Sequence, residues 1–324
     1  MAAKIIDGKA VAEEIKERLA IEAKALRAAS RPVRLLAVQV GEDAASKLYT
    51  DMQARHCESV GIEYELLELP GDIAQEDFLA RIEQINADAS VSGVILQMPL
   101  PEQIDTARAQ TALAPGKDVE GTHPENMGRL FTGTGLVAPC TPMAAFELLQ
   151  RACADLSGKE TVVVGRSTIV GKPIAMMLQH KKISATVTIC HSRTKDLAFH
   201  TRRADVVVAA TGYSQTCWRR YRRQVRAGEG GSPPALRPLI EADMVSEGAI
   251  VIDVATNRIP KGFDGQGQPL KNDKGKTAMR TVGDVDFEGV RGKVAAITPV
   301  PGGVGPVTVA MLLKNTIECA KRSG

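Results

Sequence analysis

The amino-acid sequence predicts an α/β protein of two domains. The chain has 324 residues, which at roughly 150 residues per domain suggests two domains. Short apolar runs alternate with amphipathic segments through the first third of the chain, as in a parallel sheet covered by helices. Aromatic residues make up only 3% of the sequence, so we expect a core of aliphatic side chains, which suits such sheets.

Composition and charge set broad limits on function. The net charge of +3 is too small to indicate a nucleic-acid partner. The six cysteines form no C-x-x-C pair, which is typical of reduced thiols in the cytoplasm. The N-terminal segment has no apolar signal core, and no run of 18 apolar residues occurs. We therefore expect a cytoplasmic protein with no membrane partner.

Apolar spacing and turn residues predict the order of elements. We expect the Gly- and Pro-rich segment 116–130 to be a loop, and Thr141 to cap the helix that follows, with Pro142 in its first turn. The predicted helices are 9–28, 43–60, 75–88 and 139–156, and the predicted strands are 34–41, 62–70, 91–101, 185–192, 204–212 and 248–257, before a strand end, loop and helix over 295–322.

A glycine turn is the most informative motif of the second half. Residues 162–173 (VVVGRSTIVGKP) predict a strand that ends at Gly165 and a helix that begins near Gly171. Such a turn directs backbone N–H groups and a helix N-terminus at an anion. The spacing G-x-x-x-x-x-G differs from the usual G-x-G-x-x-G. The strand–turn–helix setting, with three further strands behind it, still predicts a dinucleotide-binding domain.

The end of the next strand predicts NADP rather than NAD. NAD sites commonly place an acidic residue there to hold the ribose hydroxyls, and residues 190–194 (CHSRT) contain none. Arg166, Ser192 and Arg193 can instead hold a 2′-phosphate, because a guanidinium offers paired donors to phosphate oxygens. An alternative, in which Arg193 is a solvated loop cation, stays open.

Polar side chains beyond the strand ends form a candidate reaction site. Tyr49 and Gln53 share one face of a predicted helix. Gln97 follows an apolar strand, and Asp118 and Glu120 lie in the next predicted loop. Catalytic groups of open α/β sheets gather beyond the carboxyl ends of the strands, and this set suits a polar heterocycle. A packing role for Tyr49 stays open.

Several motifs together resemble the bifunctional methylenetetrahydrofolate dehydrogenase/cyclohydrolase family. The resemblance implies a homodimer whose subunit has an N-terminal α/β folate-binding catalytic domain and a Rossmann-like NADP-binding domain, joined by two long helices. It implies domains of 1–142 plus 304–324 and of 143–303. The motifs are 5–9 (IIDGK), 93–101 (GVILQMPLP), 117–123 (KDVEGTH), 139–142 (PCTP), 164–173 (VGRSTIVGKP), 251–254 (VIDV), 283–285 (GDV) and 298–308 (TPVPGGVGPVT).

The resemblance also implies an activity and its residues. The family oxidises 5,10-methylenetetrahydrofolate with NADP and then hydrolyses the product to 10-formyltetrahydrofolate, without a metal, in the one-carbon metabolism that serves purine biosynthesis. The implied catalytic residues are Tyr49, Gln53, Gln97 and Glu120. The implied substrate-binding residues are Tyr49, Gln97, Pro99, Leu100, Asp118, Glu120, Pro301, Gly302 and Gly303. The implied cofactor-binding residues are Gly165, Arg166, Ser167, Val170, Gly171, Pro173, Ser192, Arg193, Thr211, Gly212 and Thr256.

Two positions depart from the family pattern. The family has Y-x-x-x-K, with a lysine central to the cyclohydrolase step, whereas this chain has Gln53. A neutral amide cannot transfer a proton as an amine can. The family motif D-V-D-G is here Asp118-Val119-Glu120-Gly121, and the longer glutamate can shift the pterin. Hydride transfer depends mainly on positioning, so we expect a dehydrogenase with weak or absent cyclohydrolase activity.

A basic insert follows Thr211-Gly212. Residues 215–237 include Trp218 and Tyr221 among several arginines. We expect a flexible surface loop, because a charge run is usually solvated. Contact with the cofactor, the folate tail or an acidic or nucleic-acid partner stays open. Two further functions stay open: hydride transfer on another one-carbon carrier such as a methanopterin, and a weakened paralogue that acts as a binding or regulatory module.

Overall fold

The described chain divides into two compact units. A computed structural model describes residues 3–41, 44–135, 137–227 and 232–322, with the backbone alone for 44–49. The larger unit contains 3–9 with 144–307, and the smaller unit contains 10–143 with 308–322. The family resemblance implied that residues 3–9 belong to the folate-binding domain. They group instead with the larger unit, because residues 4–5 pair with a strand at 296–297.

Eleven strands occur in the described residues, in three sheets. The smaller unit has a parallel sheet in the order β3-β2-β4, the larger unit has a parallel sheet in the order β1-β11-β8-β7-β5-β6, and β9 pairs antiparallel with β10. The strands are β1 (Lys4–Ile5), β2 (Arg34–Val40), β3 (Glu63–Leu69), β4 (Gly93–Leu96), β5 (Glu160–Val164), β6 (Thr186–Cys190), β7 (Val206–Ala209), β8 (Ile250–Asp253), β9 (Asn257–Pro260), β10 (Met279–Val282) and β11 (Ala296–Ile297).

Helices surround these sheets. In the smaller unit, Phe78 and Ile82 pack against Val38 and Leu96 of the sheet, so that apolar spacing on the helix meets apolar strand faces. None of the described helices has the length and apolar character needed to cross a bilayer. The helices are α1 (Gly8–Ala28), α2 (Ala44–Ser59), α3 (Gln75–Ala87), α4 (Thr106–Ala112), α5 (Pro124–Thr132), α6 (Cys140–Ala152), α7 (Gly171–Gln179), α8 (Leu197–Thr201), α9 (Tyr213–Arg226), α10 (Phe287–Val290) and α11 (Val304–Arg322).

The sheet order of the larger unit sets the position of its crevice. The strand β5 has β6 on one side and β7 on the other, so the connections that leave the carboxyl ends of these strands run in opposite directions. Ligands of open α/β sheets bind at such a switch point. Boundaries of the two units fall within α6 and α11, which are the two helices that the sequence expected to join the domains.

Three local predictions were wrong. The predicted loop 116–130 contains most of α5, because Pro124 occupies the first turn and Gly133 ends the helix in the left-handed conformation, with φ of 74°. The helix α6 begins at Cys140, so Thr141 lies inside it and does not cap it. The insert begins as α9 rather than as a flexible loop, because Trp218 and Tyr221 are buried on one face of that helix.

Candidate functional site

Two glutamines and a tyrosine form a hydrogen-bonded group in the smaller unit. Gln53 on α2 and Gln97 after β4 are 5% and 7% exposed. Gln97 Nε2 donates to Gln53 Oε1 over 2.7 Å, and the Tyr64 hydroxyl donates to the same oxygen over 3.2 Å. Gln53 Nε2 is buried and has no acceptor among the described residues. An unpaired buried donor costs about 1–3 kcal/mol, so this amide is a candidate ligand contact.

The predicted site residue Asp118 shapes its own loop. A bridge between Val94 and Asp118 aligns this loop with β4. The Asp118 carboxylate also holds this loop together, and its predicted contact with substrate stays a prediction. It accepts three hydrogen bonds of 2.8–3.0 Å, from the N–H groups of Gly121 and His123 and from Asn126 Nδ2.

Glu120 follows two residues later, beside the carboxyl end of β4. Its carboxyl group has no hydrogen-bond or ion-pair partner among the described residues. Burial, and then the neighbouring Asp118 carboxylate, raise the pKa of Glu120 to about 7. A carboxyl group with such a pKa changes charge near neutral pH and is often found at functional sites. Glu120 is thus available to accept from, or donate to, a ligand.

The other predicted site residues of the smaller unit are Tyr49, Pro99 and Leu100. The side chain of Tyr49 lies outside the described residues, although α2 carries its backbone. Pro99, which follows a cis Met98–Pro99 peptide bond, is exposed. Leu100 packs against the hydrophobic cluster that contains Phe78, so part of its side chain contributes to the core.

The turn between β5 and α7 requires glycine at both ends. Gly165 has φ of +131°, and a Cβ on it would lie 2.4 Å from the carbonyl oxygen of Ala210. A Cβ on Gly171 would lie 2.2 Å from the carbonyl oxygen of Gly165. The turn thus folds closely against its own first residue and the chain after β7. This is the close approach that a dinucleotide-binding turn requires.

The free backbone donors of this turn lie in its first part. The N–H groups of residues 170–172 all donate to Ser167, two to its hydroxyl oxygen at 3.1 and 3.3 Å and one to its carbonyl oxygen at 3.0 Å. Pro173 has no N–H. The N–H groups of 166–169, by contrast, have no acceptor among the described residues. The N–H groups of the exposed turn beside Arg166 are therefore available to a ligand, whereas Ser167 engages those at the start of α7.

The side chains of Arg166, after β5, and of Arg193, after β6, are available to bind a phosphate group. Ser192 and Arg193 are exposed. Neither Arg193 nor Arg166 forms an ion pair with a carboxylate of the described residues. Asp196, the next acidic residue along the chain, caps α8 by accepting from the N–H of Phe199 at 3.0 Å. Two guanidinium groups and no free carboxylate thus lie on the segments expected to surround the ribose.

Asp284 organises the chain after β7. It is 1% exposed, and its Oδ2 accepts from the N–H and hydroxyl of Thr211 and from the N–H of Gly212 at 2.6–3.0 Å. Its Oδ1 accepts from the N–H of Tyr213 at 2.9 Å and from Asn257 Nδ2 at 3.0 Å. The donors of Thr211 and Gly212 are therefore engaged internally. Sequence reasoning missed Asp284, although the GDV motif contains it.

A second buried aspartate lies at the end of β8. Asp253 accepts hydrogen bonds from the N–H groups of Ala255, Asp284 and Val285 at 2.9–3.1 Å. The pKa of Asp253 is raised to about 7, mainly by burial and also by the Asp284 carboxylate, while the hydrogen bonds from backbone N–H groups oppose the rise. Asp253 contributes to a cavity of about 440 Å³. It too was missed, although an aspartate that ends an apolar strand is a visible signal.

The loop predicted within 295–322 lies between β11 and α11. Its residues Pro299 and Val300 line the same cavity as Asp253. Thr256, after β8, is exposed. The remaining predicted residues of this loop directly precede α11 in the chain, and they are Pro301, Gly302 and Gly303.

The fold and these sites define a class of protein. It has two α/β units, of which the larger combines a parallel sheet with the glycine turn of a dinucleotide-binding domain. The family model of the tetrahydrofolate dehydrogenase/cyclohydrolase catalytic domain matches residues 6–120, and the model of the NAD(P)-binding domain matches 139–221 and 235–324. The chain belongs to this family. Residues 222–234 lie outside both matches.

Individual relatives cover the whole chain. The bifunctional protein FolD of Salinibacter ruber is 44% identical over 98% of this chain and 96% of its own length. A crystal structure of the FolD methylenetetrahydrofolate dehydrogenase/cyclohydrolase of Campylobacter jejuni is 38% identical, covers 99% of both chains and gives a TM-score of 0.81. The enzyme of Trypanosoma brucei, solved with NADP cofactor and an inhibitor, is 33% identical, covers 100% of this chain and 99% of its own, and gives a TM-score of 0.80.

Proposed function

We propose that the protein oxidises 5,10-methylenetetrahydrofolate to 5,10-methenyltetrahydrofolate with NADP. The observation that carries the proposal is membership of one family across both the catalytic and the NAD(P)-binding domain. Hydride transfer on another one-carbon carrier and a purely binding role are not favoured, because relatives named as bifunctional FolD proteins match nearly the full length.

The larger unit fits NADP. The N–H groups of 166–169, in the turn between Gly165 and Gly171, are free to donate to a pyrophosphate. Arg166 and Arg193 can pair with a 2′-phosphate, since guanidinium groups match phosphate oxygens. NADP, when bound, accepts the hydride that leaves the folate methylene carbon. The protein's task is to hold the two partners in place.

The amide group of the smaller unit suits a positioning role. Gln97 and Tyr64 fix the orientation of Gln53 by donating to its oxygen, so the Gln53 N–H group is held ready to donate to a folate acceptor. A fixed, water-shielded donor orients a substrate with little loss of freedom on binding. Hydride transfer does not require any of these three side chains to gain or lose a proton.

We propose that hydrolysis of the methenyl product is weak or absent. Hydrolysis requires a group that accepts a proton from water and later protonates a ring nitrogen. Gln53, which replaces the family lysine, cannot do this at any ordinary pH. Two titratable side chains predicted for this site are described, those of Asp118 and Glu120. Only Glu120, whose pKa is about 7, has no hydrogen-bond partner among the described residues.

Two assays of the purified protein test the proposal. We expect methylenetetrahydrofolate and NADP together to produce reduced cofactor, with a preference over NAD of at least about tenfold, because one charged phosphate contact is worth about that much. We expect methenyltetrahydrofolate to disappear at the buffer rate. No reduced cofactor would refute the dehydrogenase. Rapid hydrolysis would refute only the second part.

Two further statements stay predictions. The family resemblance implies a homodimer, which light scattering in solution would detect as twice the mass of the chain. A cytoplasmic location was predicted from the sequence and is tested by fractionation of the source cells.

A further inference from the structure

The helix α9 has a basic face that the proposed function does not use. Its 14 residues include no acidic side chain. No described carboxylate forms an ion pair with any arginine of this helix. The family model also stops at residue 221 and resumes at 235, so the last five residues of α9 lie outside the family match. The arginines are Arg219, Arg220, Arg222, Arg223 and Arg226.

A cavity of about 290 Å³ lies between α9 and the segment 267–279. Trp218 and Tyr221 form one wall and are only 6% and 7% exposed. They are held by Phe263, whose ring centroid lies 5.7 Å from that of Trp218 and 5.8 Å from that of Tyr221. The Tyr221 hydroxyl donates to the carbonyl oxygen of Gly267 at 2.9 Å. The wall is therefore rigid.

The rim of the cavity is cationic. Among the described residues that line it, Arg222 and Arg226 are the only charged ones, and Val225 and Met279 add apolar surface. The two arginines are one helical turn apart, so both guanidinium groups reach the same side of α9. The Arg222 guanidinium lies over the Trp218 ring, 5.7 Å from its centroid. Its outer face remains available to stack on another flat group.

We propose that this cavity binds an organic anion that carries a flat ring and is no larger than a mononucleotide. The ring would pack between the apolar wall and the Arg222 guanidinium, and the anionic group would accept from Arg222 and Arg226. The volume limits the size of the ligand, because drug-sized ligands occupy pockets of roughly 300–1,000 Å³. The site is separate from the turn at 166–169, so it does not depend on the proposed function.

Fluorescence provides a direct test, because Trp218 is the single tryptophan of the chain. AMP is titrated into the full-length protein in saturating NADP, so that the dinucleotide site is already filled. We expect a saturable change in Trp218 emission with AMP. Adenosine, which lacks the charge, and inorganic phosphate, which lacks the ring, should each bind at least about tenfold more weakly. No saturable change with AMP overturns the proposal, and equal affinity for phosphate overturns the role of the ring.

Matched variants locate the site. Arg222→Ala with Arg226→Ala should weaken AMP binding at least about tenfold, whereas Arg219→Ala with Arg223→Ala removes the same charge from the same helix and should leave it unchanged. Calorimetry measures both, because removal of Arg222 itself alters the emission. Equal losses in the two double variants would show a general charge effect and overturn the proposal. Dehydrogenase turnover should be the same in both double variants and in the unmodified protein. If NADP does not bind, calorimetry of AMP binding to the two double variants still tests the proposed site.

Discussion

At the scale of the residue, Gln53 shows how one substitution separates two activities that share a site. A lysine here would lie among the same neighbours, 5% exposed and facing Gln97. Burial lowers the pKa of a lysine and makes it a better base near neutral pH. Glutamine retains the size and the hydrogen bonds of the position and loses the proton transfer. The sequence revealed this change, but the unpaired Nε2 was visible only in the structure.

Restoring the lysine should restore hydrolysis. We expect Gln53→Lys to raise the rate of methenyltetrahydrofolate hydrolysis by at least about tenfold, the lower part of what a positioned acid or base contributes. The Gln97 amide can turn to present its oxygen to the new ammonium group. Gln53→Met is the control, because it keeps the volume and adds no titratable group. A similar gain in both variants would contradict the role assigned to the missing amine.

Glu120 should make stability depend on pH. Its pKa is raised from 4.5 to about 7 in the folded chain, so the folded state retains a proton that the unfolded state has lost between these values. The contribution of Glu120 to stability therefore falls as the pH rises from about 4.5 to 7. We expect Glu120→Gln to raise the Tm by roughly 5–10 °C more at pH 8 than at pH 5. Glu102→Gln, at an exposed position, controls for loss of one negative charge, and an effect of Glu120→Gln that is equal at both pH values would contradict the buried carboxyl.

At the scale of the element, the errors of the sequence prediction have physical causes. The prediction of a loop for 215–237 gave weight to the arginines, yet Trp218 and Tyr221 are spaced to share a helix face, and Phe263, far along the chain, buries them. Long-range contacts of this kind are not visible in local charge. The glycine turn was predicted correctly as an element, but its sequence did not show which of its N–H groups are engaged within the turn. Ser167 engages the first N–H groups of α7, and no local pattern indicates that.

The chain between β7 and α9 should depend on Asp284. Both carboxylate oxygens of Asp284 accept hydrogen bonds, so an asparagine would direct its NH₂ group at hydrogen-bond donors in either orientation of the amide. Those donors would then have no acceptor. We expect Asp284→Asn to destabilise the larger unit by about 2–3 kcal/mol, which lowers its Tm by roughly 5–10 °C, and to weaken NADP binding. Asp264→Asn is the matched control, since Asp264 accepts backbone hydrogen bonds in an exposed turn. Similar losses in both variants would contradict the special role of Asp284.

At the scale of the whole molecule, the sequence predicted the two α/β units because the main sheet of each unit is parallel and strands such as β4 and β7 are buried and apolar. The order of the strands was not predictable from local pattern. The strand β1 joins the end of the larger sheet from the beginning of the chain, and a two-residue strand carries no periodicity. The buried pair Asp253 and Asp284 also arises from segments that meet only in the fold. Local signals indicated the glycine turn and the polar residues after the strands, but not the hydrogen bonds that hold them or the buried aspartate pair.

The division into two units should govern how ligands stabilise the chain. A ligand at about 100 times its Kd stabilises the part that binds it by about 2.7 kcal/mol, and a chain of two units need not unfold in one step. We expect hydrogen exchange to show that NADP protects the larger unit around 160–179 and 206–212, and that tetrahydrofolate protects the smaller unit around Gln53, Gln97 and 117–123. NADP alone should leave hydrogen exchange in the sheet β3-β2-β4 nearly unchanged. Tetrahydrofolate alone should leave exchange in the sheet around β5 nearly unchanged. Equal protection of both units by NADP alone would mean that they unfold together, and the assignment of one ligand to each unit would then need another basis.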